Sequence, residues 1–90
     1  MLFQINLSFS PENKNALINR AIEKGMQFPS GMKLINAWSS VNGQKVTMFA
    51  EVENAAAMMA LADAWDDLAV IDSYPVMPSM DTLKIHQSQH

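Results

Sequence analysis

The sequence predicts an α+β fold in which a four-stranded antiparallel sheet carries two helices on one face. Four segments have the alternating polarity or composition of β-strands, and two segments between them repeat apolar residues at helical spacings. Asn42-Gly43 is a strong hairpin signal that joins the second and third strands. The resulting order is β-α-β-β-α-β, and short connections with right-handed crossovers turn this order into a ferredoxin-like sandwich.

The first strand and the first helix are marked by alternating polarity followed by capping residues. Apolar and polar residues alternate over residues 3–9, which predicts a half-buried strand. Ser10 and Pro11 suit the N-cap and the first helical position. Gly25 suits the left-handed residue that ends a helix. We therefore expect the first helix to lie between Pro11 and Gly25.

The other three strands are predicted over Met32–Ser40, Lys45–Val52 and Val70–Met77. The strand from Lys45 to Val52 has one strongly apolar parity, typical of a strand with one face on a core. In the last strand, Pro75 cannot donate a ladder hydrogen bond. This strand is therefore predicted to lie at an edge of the sheet or to end its pairing at the proline.

The second helix is predicted to begin after Asn54, a favourable N-cap, and to bury a stripe that includes Trp65. Asp63, Asp66 and Asp67 crowd its carboxyl end, where the helix dipole disfavours negative charge. Two interpretations stay open. Either these carboxylates are functional or specially hydrogen-bonded, or the helix ends near Trp65 and an aspartate caps the following turn.

Composition limits the class of protein. Ninety residues with 49% apolar content and no cysteine predict a single domain over residues 1–78 without disulfides, followed by a tail over 79–90 that forms one short helical turn at most. We expect a cytoplasmic location because the first residues lack a basic signal-peptide region. No apolar run approaches the length of a membrane span, so no membrane partner is expected. The six basic residues are dispersed and the net charge is −3, which argues against a nucleic-acid partner.

The sheet face away from the helices is predicted to carry Gln4, Asn6, Thr47 and Glu51 beside Phe49. A sheet face with a large aromatic side chain among neutral polar groups is seldom left open to water. A second copy related by twofold symmetry is the usual cover. The sequence therefore predicts a homodimer.

Five short segments resemble a known family: Pro29-x-Gly31, Asn42-Gly43, Glu51–Asn54, Trp65–Leu68 and Pro75-Val76. With the element order, they make the chain similar to the dimeric α/β-barrel superfamily, and within it to an uncharacterised family of small bacterial proteins known only as a domain of unknown function. The resemblance implies that two sheets close into one barrel. It transfers no catalytic residue. Other branches include cofactor-independent monooxygenases, haem-degrading enzymes and lactone isomerases.

Six side chains are candidates for ligand binding or proton transfer: Trp38, Glu51, Trp65, Asp67, Asp72 and Tyr74. Burial of Glu51 against Phe49 would raise the pKa of its carboxyl group and make it a general base. The alternative is that Glu51 pairs with a polar neighbour across a subunit interface. The two tryptophans either form the wall of a small pocket between sheet and helices or pack in the core, with each indole N–H bonded to a carbonyl or a carboxylate.

No cofactor or metal is predicted. His86 and His90 have the four-residue spacing of some metal ligands, but no third ligand lies near them in the sequence. Their position in the tail also argues against an internal haem ligand. Asp63, Asp66 and Asp67 offer oxygen atoms to a hard cation, but no glycine-bearing loop accompanies them.

Two functions from different classes remain open. The preferred one is a non-catalytic homodimeric module that binds a small hydrophobic molecule or serves in assembly. The alternative is a cofactor-independent enzyme, monooxygenase- or isomerase-like, in which Glu51, Asp67 or Tyr74 carries protons. An enclosed cavity of about 300 Å³ or more, reached by one of these groups, would favour the enzyme. A filled interior would favour the module.

Overall fold

A computed structural model describes residues 1–89 and confirms the predicted order of strands and helices. Its elements are β1 (Leu2–Ser8), α1 (Pro11–Lys24), β2 (Met32–Ser39), β3 (Lys45–Val52), α2 (Ala55–Trp65), β4 (Val70–Pro75) and α3 (Ser79–Ser88). The four strands form an antiparallel sheet in the order β2-β3-β1-β4. The chain is therefore a ferredoxin-like α+β sandwich with an additional helix after β4.

The core lies between one face of the sheet and helices α1 and α2. Apolar residues of a single parity on β1 and β3 are buried there together with side chains from both helices. The largest fully buried side chains are Trp65, Ile5, Leu7, Met48 and Leu61. Because side chains alternate along a strand, the remaining residues of β1 and β3 point to the opposite face, which no element covers within residues 1–89.

The two helices begin differently, although both have a capping residue at the N-cap. Asn54 Oδ1 accepts a hydrogen bond of 2.9 Å from the backbone N–H of Ala57, as predicted for α2. Ser10 occupies the N-cap of α1 without a side-chain capping bond. Proline at the start of α1 has no N–H to satisfy, which lowers the need for a cap.

Helix α2 ends at Trp65, as the second interpretation expected, and Asp67 is specially hydrogen-bonded, as the first expected. Asp66 is the C-cap, and its backbone N–H bonds to Ala62 O. The prediction of an edge strand is also confirmed, because β4 lies at the edge beside β1. It ends at Pro75, two residues before the predicted Met77.

The tail forms more structure than the single turn that the sequence predicted. Helix α3 spans ten residues, with the acidic Asp81 in its first turn, where it is favourable to the helix dipole. All residues from Met77 to Gln89 are exposed. In residues 1–89, no helix has both the length and the apolar character needed to cross a membrane.

Candidate functional site

Four of the six candidate side chains lie on the sheet face that the helices leave uncovered, here named the open sheet face. Strand pairing defines its centre, where Asn6 pairs with Thr47 on β3 and with Asp72 on β4. The same parity places the other candidates there. The four are Trp38, Glu51, Asp72 and Tyr74.

The expectation that Trp38 packs in the core or in a pocket beneath the helices is wrong. A bulge between Leu34 and Asn36 reverses the alternation of β2, so that Asn36 pairs with Phe49 on the open sheet face. Trp38 lies two residues after Asn36, so its side chain is on the same face, and it is 59% exposed. Its ring meets that of Phe49 edge to face, with ring centroids 5.9 Å apart. This pair forms an aromatic patch on the open sheet face.

Glu51 lies on the same face, near the end of β3, and is exposed. Its Oε2 lies 3.2 Å from the N-terminal ammonium group of Met1. Lys33 is its neighbour on β2. Glu51 in the single chain therefore lacks the burial on which the general-base hypothesis depends.

The centre of the open sheet face carries a short chain of polar contacts. Gln4 Nε2 donates to Asn6 Oδ1 at 3.2 Å. Asn6 Nδ2 in turn donates to the hydroxyl of Tyr74 at 3.4 Å. Amide and phenol groups linked in this way can bind polar groups of a partner, but they provide no strong base.

Trp65 and Asp67 lie on the other side of the molecule, among the helices. Trp65 is fully buried and its Nε1 donates to the backbone oxygen of Met26 at 3.0 Å. The interpretation of Trp65 as a core side chain bonded to a carbonyl is therefore correct. The six candidates consequently do not converge on one site.

Asp67 is bound by a residue that the sequence did not single out. Nη1 and Nη2 of Arg20 on α1 donate to the two oxygens of the Asp67 carboxylate, at 2.8 and 2.7 Å. These bonds lower the pKa of the Asp67 carboxyl group and raise that of Arg20. Arg20 also donates to Ala64 O and lies over the Trp65 ring. The acidic helix end was the sequence signal for such a partner, but it could not identify the partner.

A cavity of about 410 Å³ opens between α1 and the helix-facing side of the sheet, here named the helix-side groove. Its lining is mainly apolar and includes Leu17, Ile18, Ala21, Ile22, Leu34, Ala37, Met48 and Trp65. Ile22 is 76% exposed, so the groove is open to solvent along one side. Among the candidates, Trp65 lines it, but Glu51, Asp67 and Tyr74 do not.

Lys14 stands at one end of this groove and is half-buried. Its side chain lies against Gly43 in the hairpin, where an added Cβ atom would be 2.7 Å from Lys14 Nζ. In residues 1–89, Lys14 forms no ion pair. Lys45 also contributes to the lining, but the alternation of β3 directs its side chain to the open sheet face. The groove thus combines an apolar channel with one ammonium group.

No cluster of three or more histidine, aspartate or glutamate side chains suited to a metal ion occurs in residues 1–89. His90, one of the two histidines considered as a metal pair, lies outside the described residues. Asp67, considered as a ligand for a hard cation, has both carboxylate oxygens occupied by Arg20.

The fold, the open sheet face and the helix-side groove define a small ferredoxin-like module. The chain belongs to a family described as a domain of unknown function, DUF3303, whose profile matches residues 1–90. This membership confirms the resemblance to an uncharacterised family. No curated protein matches the chain.

One similar solved structure is the crystal structure of a proposed antibiotic biosynthesis monooxygenase from Deinococcus radiodurans. The two chains share 17% sequence identity, with a TM-score of 0.49 over 87% of this chain and 94% of the other. A similarity at this level supports no argument about activity.

Proposed function

We propose that this protein is a non-catalytic homodimeric module that binds a small apolar molecule in the helix-side groove. The supporting observation is the groove itself, whose volume of about 410 Å³ lies in the lower part of the usual range for ligand sites. At roughly 30 Å³ for each water-sized group, it would hold on the order of a dozen non-hydrogen atoms. The apolar lining favours a hydrocarbon or aromatic body.

Lys14 gives the groove a preference for a negatively charged ligand. Lys14 is a half-buried residue whose ammonium group forms no ion pair within residues 1–89, and an anion satisfies such a group best because a charge-assisted hydrogen bond is stronger than a neutral one. Its position at the end of an apolar groove suits a ligand with a carboxylate at one end. We therefore propose a small apolar carboxylate as the ligand class.

The enzyme alternative receives less support from the geometry. It requires a proton carrier at the cavity, and none of Glu51, Asp67 and Tyr74 lines the groove. Arg20 holds Asp67 in its ionised form by lowering the pKa of the carboxyl group. The groove exceeds the volume of about 300 Å³ set for an enzyme cavity, but it is open along one side and no candidate proton carrier reaches it.

Titration of the protein with decanoate, followed by calorimetry, tests the proposal. Ala37→Phe places a ring in the groove from an exposed position on β2 and should weaken decanoate binding at least tenfold. Ala60→Phe is the matched control, because Ala60 is exposed on α2 and does not line the groove. Failure of the wild-type protein to bind decanoate and decanol, or an equal effect of both variants, would exclude the groove as the site.

The contribution of Lys14 is separable by comparing decanoate with decanol. Lys14→Met preserves most of the side-chain length but removes its charge, so it should weaken binding of decanoate and leave binding of decanol nearly unchanged. Lys24→Met on the same helix is the control, since Lys24 does not line the groove. Equal losses for both ligands would show that Lys14 acts by packing alone.

The homodimeric part of the proposal is supported by the open sheet face. The Trp38–Phe49 aromatic pair and the side chain of Tyr74 lie there beside neutral polar groups. Face-to-face packing of two such sheets would cover the aromatic patch on both copies. Twofold symmetry makes the same patch serve both subunits.

A further inference from the structure

We infer that α3 is an arm that packs against a second copy of this chain. The inference rests on the proposed homodimer and assigns to it a second contact region beyond the open sheet face. Every residue from Met77 to Gln89 is exposed. Met80, Leu83 and Ile85 of this helix are large apolar side chains, and Met80 is 64% exposed.

A helix of ten residues is too short to be stable by itself in water. Most of the stability of such a helix comes from packing an apolar face against other elements. Helix α3 buries no residue against its own chain. A surface outside this chain would supply the packing that such a helix needs.

The accessible surface of the chain fits a protein that lacks its partner. A compact monomer of 10.0 kDa should expose about 5,200 Å². This chain exposes 6120 Å², which is larger by about 900 Å². A standard protein interface buries about 800 Å² on each partner, so the excess is the size of one half-interface.

The overall shape leads to the same conclusion. The radius of gyration is 15.1 Å, against about 12 Å for a compact domain of this length. The longest dimension is 50 Å and the shortest is 17 Å. An exposed helix after β4 is consistent with such an elongated outline.

The position at which α3 leaves the sheet favours a second copy of this chain as the protein that α3 contacts. The arm leaves directly from β4, the edge strand that contributes Tyr74 to the open sheet face. A hydrogen bond of 2.9 Å from Val76 N–H to Leu2 O fixes this departure point at the sheet edge. A copy packed on the open sheet face would therefore lie beside the start of the arm. Helix α3 extends about 15 Å from there, far enough to contact the near edge of that copy.

The test uses the full chain with the double substitution Met80→Glu and Leu83→Glu. Met59→Glu is the matched control, because Met59 is an equally exposed methionine (68%) on α2. Sedimentation equilibrium measures the dimer dissociation constant of each variant. We expect at least a tenfold increase for the double variant and less than a twofold change for Met59→Glu. Circular dichroism on dilution should also show helix loss in the wild-type protein as the dimer dissociates.

The possible outcomes distinguish a failure of the proposed α3 contact from a failure of the proposed homodimer. A wild-type dimer that the double substitution does not weaken would overturn the arm and leave the dimer standing. An equal weakening by Met59→Glu would also overturn the arm. A wild-type protein that stays monomeric at all concentrations would overturn both the arm and the proposed homodimer. A lower urea midpoint for the double variant than for Met59→Glu, at protein concentrations where both are monomeric, would show that α3 packs on its own chain, contrary to the inference.

Discussion

Arg20 on α1 and Asp67 after α2 form a bidentate ion pair, with nitrogen–oxygen distances of 2.8 and 2.7 Å. The pair connects the two helices that cover the sheet. Arg20 also donates to Ala64 O at 3.0 Å, near the end of α2 where backbone carbonyls have no helical partner. The negative charge of Asp67 at this helix end is thus compensated by a cation from the neighbouring helix. This compensation supports a structural role for Asp67.

Asp67→Asn should destabilise the fold at neutral pH. The folded-state pKa of Asp67 is lowered, so its contribution to stability is present above the unfolded value of about 3.9 and is lost as the pH falls through the folded value. Urea unfolding should therefore show a lower midpoint for the variant at pH 7, and the difference from wild type should shrink below about pH 4. Asp63→Asn is the control, since Asp63 is exposed on α2 and forms no ion pair within residues 1–89. A pH-independent difference for Asp67→Asn would contradict the ion-pair explanation.

Asn54→Ala should cost about 1 kcal/mol of unfolding free energy, because it removes the oxygen that accepts from the Ala57 N–H. Ser10→Ala, at the corresponding position of α1, should change stability by less than about 0.5 kcal/mol, since Ser10 makes no capping bond. Chemical denaturation of both variants measures the difference. Equal costs would mean that capping geometry does not distinguish the two helices.

Gly43→Ala should both destabilise the hairpin and displace Lys14. The backbone φ of Gly43 is +74°, a conformation that costs a residue with a side chain about 1–3 kcal/mol. Gly25→Ala is a suitable control because φ is +71° there and no atom lies within 4 Å of the added Cβ. Both variants should unfold more easily, but only Gly43→Ala should weaken decanoate binding in calorimetry. Equal binding by the two variants would remove the role given to the position of Lys14.

Trp38→Glu should weaken self-association at least tenfold, corresponding to about 1.4 kcal/mol or more, because it places a charge in the aromatic patch proposed as the centre of the interface. Met59→Glu again serves as the control on the helix side. Sedimentation equilibrium at several protein concentrations measures the effect. If the dissociation constant stayed unchanged while the protein remained folded, the open sheet face would not be the interface.

Most of the fold was predictable because its signals are local. Alternation marked β1 and β3, Asn42-Gly43 marked the hairpin, and Asn54 marked the start of α2. Each signal depends on residues close together in the chain. The face of Trp38 was predicted wrongly because a β-bulge inserts one residue into β2 and reverses the side-chain alternation after it.

By itself, the sequence determined the order of the elements, the parity of the buried strand residues and the edge position of β4. Only the tertiary structure decided that Arg20 binds Asp67, that Lys14 stands at the end of an apolar groove, and that the candidate residues separate onto two sides of the sheet. The physical reason is the distance along the sequence over which each kind of interaction acts. Backbone preferences act over a few residues, whereas partners such as Arg20 and Asp67, 47 positions apart, meet only when packing brings their helices together.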